Sequence, residues 1–161
     1  MLSHGEESRV INTCSGNGAL VTYPSTPIYA TTKSSVATIS EALYFQLLSL
    51  ESSVGASILF PGPHVVETGL YGSERNRPKD LAQEKEPAFK IESLEAMKEM
   101  VSSMGKELRT THPDEVANFC LEGIKKNQYW LLPANQDSDK SYKDFVESLL
   151  SRTNPNPPDL F

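Results

Sequence analysis

The sequence predicts an α/β fold, a parallel sheet of three strands with flanking helices, and three observations carry that prediction. Short β-branched runs alternate along the chain with longer stretches of helical period. One run, Val54-Gly55-Ala56-Ser57-Ile58-Leu59-Phe60, is apolar almost without interruption, as strands covered on both faces of a parallel sheet are. Turn signals close the runs, Gly16-Asn17-Gly18 after the first and Pro61-Gly62 after the second.

The first strand is Arg9-Val10-Ile11-Asn12-Thr13-Cys14-Ser15, which runs into a loop at the glycines. Pro24-Ser25-Thr26-Pro27 punctuates the next stretch and leads into a long helix. From Val36, the residues Ile39, Leu43, Leu47 and Leu50 recur at spacings of three and four. After the second strand, the charged stretch from Ser73 to Pro87 reads as a mobile loop or partly ordered lid, with Glu84, Lys85 and Glu86 as solvated surface. Leu94, Met97, Val101 and Met104 then form one helical stripe. Another helix opens near His112-Pro113-Asp114-Glu115, where proline suits the first turn and acids suit the dipole. Its apolar face is Val116, Phe119, Cys120 and Ile124, with Lys125 and Lys126 in the last turn. Tyr129-Trp130-Leu131-Leu132 makes the third strand, and Tyr142, Phe145, Val146 and Leu149 mark a last helix. Three strands make a small sheet with much open edge, which reads as part of a domain.

Composition narrows the function. The chain has 161 residues, 22% charged and 38% hydrophobic, the profile of a globular protein. Fifteen basic against 21 acidic side chains leave a net charge of −6, so no nucleic-acid partner is expected. No apolar run reaches the roughly 20 residues that span a bilayer, and no membrane association is expected. Two cysteines, Cys14 and Cys120, make no disulfide framework, and a cytoplasmic location is the expectation.

The chemistry gathers in Ser15 and Tyr29-Ala30-Thr31-Thr32-Lys33. With Tyr29 in the first turn of the long helix, Lys33 is its i+4 neighbour on the same face. An ammonium near a phenol favours the phenolate, and a tyrosine so tuned can exchange a proton during carbonyl reduction or alcohol oxidation. Ser15 stands at the C-terminal end of the strand that precedes the long helix, where open α/β sheets place their ligands. Its hydroxyl is placed to hold the substrate oxygen that Tyr29 protonates. Alone, the Tyr-x-x-x-Lys spacing also fits a tyrosine and a lysine on an ordinary helix surface.

The context is more specific. Arg9 to Ser15, Tyr29 to Lys33, and Pro61-Gly62 with the later Val66-Glu67-Thr68 come in the order found in the short-chain dehydrogenase/reductase family, which this chain resembles over nearly its whole length. The resemblance implies the C-terminal part of a Rossmann-like, doubly wound parallel sheet and an oxidoreductase that moves hydride between NAD or NADP and an alcohol or carbonyl substrate. It makes Tyr29 the acid/base, has Lys33 also bond the nicotinamide ribose, and has Ser15 polarise the substrate carbonyl. Pro61, Gly62, Val66 and Thr68 would border the cofactor, and Tyr23, Leu70 and Tyr71 the substrate. Two spacings depart from the pattern. Ser15 lies fourteen positions before Tyr29, one more than is usual, which predicts a bulge in the intervening loop, and Pro63-His64-Val65 adds two residues after Pro61-Gly62.

The glycine-rich turn that holds the cofactor pyrophosphate in such enzymes has no counterpart here, nor does the family's asparagine on an earlier helix. Residues 1–161 are therefore expected to be a partial NAD(P)-binding Rossmann-like domain, the catalytic half without the glycine-rich half. Family members have roughly 250 residues, so Met1 reads as an internal methionine of a longer protein or the start of a truncated gene. A rival reading is a non-catalytic remnant that keeps the fold and an oligomerisation surface. Tyr44-Phe45-Gln46-Leu47-Leu48-Ser49-Leu50 is apolar on nearly every face, more than one sheet contact requires. A second contact is expected there, either an N-terminal helix of the same chain or, as the resemblance implies, a copy of this helix in a homodimer or homotetramer of the intact protein. His4, His64 and His112 lack ligand spacing, so no metal site is expected. Ser15 lacks a G-x-S-x-G elbow, which disfavours a hydrolase. Cys14, on the opposite side of the strand from Ser15, reads as a buried structural thiol.

Overall fold

The computed structural model describes residues 1–82 and 91–158; the expected solvated surface at Glu84, Lys85 and Glu86 lies outside them. Two compact units are present, one formed by Met1–Pro63 with the chain from Asp114 onward, the other by His64–Pro113.

The first unit holds the predicted sheet. Strands β1 (Ser8–Thr13), β2 (Val54–Leu59) and β5 (Trp130–Leu131) lie in the order β1-β2-β5 and are parallel throughout. β1 and β2 pair over their full length, Ser8 opposite Val54 and Thr13 opposite Leu59. After β1 comes a single turn, α1 (Gly16–Ala19), and then the long helix α2 (Pro27–Ser49), with proline at its first position. Helices α4 (Pro113–Lys125) and α5 (Gln136–Ser151) flank β5 in sequence. The α/β alternation read from the sequence is present.

One face of the sheet packs on α2. Leu47, Val54 and Ala56 form a buried cluster with Val10, Leu43 and Tyr44 against it, and Cys14, Ile58 and Phe60 form a second with Val36, Ala37 and Tyr129. Ile58 is fully buried; truncating such a side chain to alanine costs about 2–5 kcal/mol. Between the clusters, Asn12 Nδ2 donates to Ser40 Oγ at 3.0 Å, and Ser40 Oγ donates to the Val36 carbonyl at 2.7 Å. The buried hydroxyl is therefore satisfied, as a buried polar group must be. These contacts fix α2 antiparallel to β1, with Leu47 level with the start of the strand and Lys33 level with its end.

The opposite face is stitched by polar groups. Arg9 Nη1 donates to the Ala56 carbonyl at 3.2 Å and to Ser57 Oγ at 2.8 Å, while Ser57 Oγ donates to the Gln128 carbonyl at 2.7 Å. The chain from β1 through β2 to the entry of β5 is thus joined by side chains as well as by the ladder. Gly55 makes room for this, because a Cβ there would stand 2.8 Å from Arg9 Nη2.

In the second unit, two-residue strands β3 (Val65–Val66) and β4 (Thr110–Thr111) pair in parallel, and helix α3 (Leu94–Ser103) buries Val101. Ser93 caps α3 by accepting from the Ala96 amide at 3.1 Å. The stretch from Ser73 to Pro87, expected as a mobile loop or partly ordered lid, carries short turns in its described part. Gly69–Asn76 and Lys79–Leu81 are 3₁₀ turns. Arg75 Nη1 donates to the Gly69 and Gly72 carbonyls at 2.9 and 2.6 Å, and Arg77 makes a two-pronged pair with Glu74 at 2.6 and 2.7 Å. Charge here builds local structure, which a periodicity reading cannot see.

Candidate active site

The geometry of α2 and β1 decides where Tyr29 and Lys33 lie. The helix face that buries Val36, Ser40 and Leu47 against the sheet also carries Lys33 and, one turn earlier, Tyr29. Lys33 is already level with the strand end, since its Nζ donates to the Thr13 carbonyl at 3.1 Å and its own carbonyl accepts from Cys14 Sγ at 3.2 Å. Four residues of helix rise about 6 Å, so Tyr29 projects past the end of β1, where it is 39% exposed. The ammonium of Lys33 stands 5.7 Å from the centre of the Tyr29 ring. The i+4 relationship predicted for the pair is present.

Ser15 follows at the same end. It is half-buried and caps the α1 turn, its Oγ accepting from the Asn17 amide at 3.2 Å. A hydroxyl accepts and donates at once, so this bond leaves the proton for a carbonyl oxygen. The loop after Ser15 forms a tight turn clamped onto α2. Gly18, at φ +101°, lies so close to the helix that a Cβ would stand 2.2 Å from the Ala30 carbonyl oxygen, and Ser34 Oγ donates to the Gly18 carbonyl. Asn17 spans the rest of the loop, Nδ2 donating to Thr26 Oγ1 at 2.8 Å and Oδ1 accepting from the Tyr23 amide at 3.1 Å.

Pro61 and Gly62 follow β2, so they leave the sheet at the same C-terminal end as Ser15. Tyr23 is half-buried, and that burial pushes its phenol above its ordinary range. Cys14 is 2% exposed inside the core, the structural thiol expected, and burial raises its pKa against the smaller opposing effects of the Ser15 backbone and Lys33. Val66, Thr68, Leu70 and Tyr71 belong to the second unit. There Thr68 and Tyr71 line a cavity of about 430 Å³ with Glu67, Leu94 and Lys98, and the Tyr71 hydroxyl contacts Met97 Sδ. Leu70 is not among the residues of that cavity and is exposed.

Three participants escaped the sequence reading: the Thr13 carbonyl, Asn17 and Thr26. Asn17 reads only as a turn former inside Gly16-Asn17-Gly18, and a side chain that reaches nine residues ahead has no local signature. Thr26 offers the one hint, a hydroxyl between two prolines at a helix start.

Thr13, Ser15, Tyr29 and Lys33 thus gather a carbonyl, a hydroxyl, a phenol and an ammonium where the strands end, the place where doubly wound sheets bind ligands. No family model matches the chain, and no curated protein matches it. Among solved structures it is similar to a short-chain dehydrogenase/reductase from Burkholderia phymatum, crystallised in complex with NAD, at 27% identity and a TM-score of 0.80. The match covers 100% of this chain and 54% of that one. The chain spans about half the length of this neighbour, and it carries the α/β, Rossmann-like fold of the short-chain dehydrogenase/reductases.

Proposed function

We propose that this chain carries the catalytic half of an NAD- or NADP-dependent oxidoreductase acting on a small alcohol or carbonyl compound. The observation that carries the reading is Lys33 held between Thr13 and the Tyr29 ring, at 3.1 Å and 5.7 Å, beyond the end of β1. Tyr29 gives its hydroxyl proton to the substrate oxygen in reduction and takes one in oxidation, and Ser15 donates to the same oxygen. General acid catalysis of this kind contributes about 10²–10⁴ in rate. Lys33 fixes the tyrosine side of the site and offers N–H donors to ribose hydroxyls.

The residues present fit the nicotinamide end of the cofactor: a phenol and an ammonium on one helix face, with Pro61 and Gly62 at the same sheet end. A bound nicotinamide would supply or accept the hydride. Among the described residues the turn Gly16–Ala19 is already capped by Ser15, so it is not assigned to a pyrophosphate. Val66 and Thr68 are proposed to border the cofactor, and Tyr23, Leu70 and Tyr71 the substrate. Oligomerisation is proposed through the exposed apolar residues of α2, Ile39, Phe45 and Leu48, with Leu50 just past its end; exposed apolar side chains gathered on one element mark interaction sites.

Amide-resolved NMR of the labelled chain with NADH at millimolar concentration tests the reading. Signals of Ser15, Tyr29, Lys33 and Gly62 should move while those of Val101 stay in place. Movement confined to other residues, or none at all, would overturn it.

A further inference from the structure

We propose that Asn17 is a positioning residue that sets Ser15 and Tyr29 relative to one another. The inference rests on the reading just given, that both groups act on one substrate oxygen. Two groups that share an oxygen must keep a fixed separation, and misplacement of about 1 Å can cost 10²-fold in rate. Yet they come from different elements, Ser15 from the loop after β1 and Tyr29 from the first turn of α2. Something must join them.

Asn17 makes that join with three of its polar groups. Its backbone amide donates to Ser15 Oγ at 3.2 Å, its Oδ1 accepts from the Tyr23 amide at 3.1 Å, and its Nδ2 donates to Thr26 Oγ1 at 2.8 Å. Thr26 is the residue before α2, and its carbonyl accepts from the Ala30 amide at 2.9 Å, so the side-chain bond to Thr26 reaches the first turn of the helix. One residue thus ties the candidate oxygen-holding serine, the backbone of a candidate substrate-facing tyrosine and the helix start that bears the acid/base. Gly18 completes the clamp by contact with Ala30, but it is Asn17 whose side chain is specific. Aspartate keeps the acceptor for Tyr23 and loses the donor to Thr26; alanine loses both.

Hydrogen exchange and NMR on the 161-residue chain test this without turnover. Asn17→Ala should speed exchange of the Tyr23 amide by about tenfold, the scale of one lost hydrogen bond. It should also shift the Ser15 amide and the Tyr29 ring signals and weaken the Tyr29–Lys33 cross-peak. Asn17→Asp should keep Tyr23 exchange within about threefold of the original while still shifting the Tyr29 ring. The Ile58 amide in β2 reports the fold. Should Asn17→Ala lose protection there, Thr26→Val, which removes the hydroxyl that accepts from Asn17 Nδ2, carries the test and should shift the Tyr29 ring alone. Unmoved Tyr29 and Ser15 signals in a folded variant would overturn the proposal. An NADH titration with no response would sink the functional reading and leave these exchange results to judge Asn17 by themselves.

Discussion

Lys33 is tied to Thr13 across twenty residues of chain, its Nζ donating to the Thr13 carbonyl at 3.1 Å while the same ammonium stands 5.7 Å from the centre of the Tyr29 ring. The strand end therefore fixes the lysine, and the lysine in turn faces the tyrosine. A surface Tyr-x-x-x-Lys pair has no such anchor.

Lys33→Met keeps most of the stem and removes the ammonium. The bond to Thr13 is solvent-exposed, so its loss should cost about 1 kcal/mol, below the usual range for charged donors. A urea titration reads this as a lower midpoint at unchanged slope. No change in midpoint would show that Lys33 does not hold the strand end.

Gly18→Ala should be far more costly. The φ of +101° is one that side-chain-bearing residues rarely adopt, and the added Cβ would meet the Ala30 backbone at 2.2 Å. A loss of about 2 kcal/mol or more is expected, from backbone strain together with overpacking. Stability within about 0.5 kcal/mol of the original, the range of ordinary surface changes, would mean the turn is not clamped to α2.

Cys14 gives a pH signature. Burial holds its thiol above the ordinary range, near 8.5 for an exposed cysteine. The unfolded chain releases this proton first as pH rises. The associated stability is thus complete below about pH 8.5 and is lost as pH climbs through the folded value. Tyr23 and Tyr129, also raised by burial, add the same trend from about pH 10. Denaturation midpoints should fall above about pH 8.5; Cys120, also raised by burial, shares that window, so Cys14→Ala should lessen the fall below about pH 10 without abolishing it. An unchanged pH slope in that variant would contradict the assignment.

The elements legible in the sequence are those with a period. β2 announces itself as an apolar run, and α2 by residues three and four apart together with Pro27. Tyr29 and Lys33 were legible for the same reason, because i+4 on a helix is a fixed geometry. β3 and β4 have two residues each, too few for alternation to register. The 3₁₀ turns of the Gly69–Asn76 stretch rest on Arg75 reaching back to two carbonyls, a contact that composition reports only as charge. Asn17 and the Thr13 carbonyl escaped because their roles depend on tertiary approach. Nothing in Gly16-Asn17-Gly18 says that its asparagine meets Thr26.

The most direct test of the central claim is the rate of NADH- or NADPH-dependent carbonyl reduction before and after Tyr29→Phe. It is measured on this chain supplied with a glycine-rich nucleotide-binding half, in one polypeptide or as a separate piece. The substitution removes one hydroxyl and keeps the ring beside Lys33, so fold and cofactor affinity should hold while kcat/KM falls by about 10²–10⁴. Activity within about threefold of the original, well short of that loss, would contradict the assignment of Tyr29 as the proton donor.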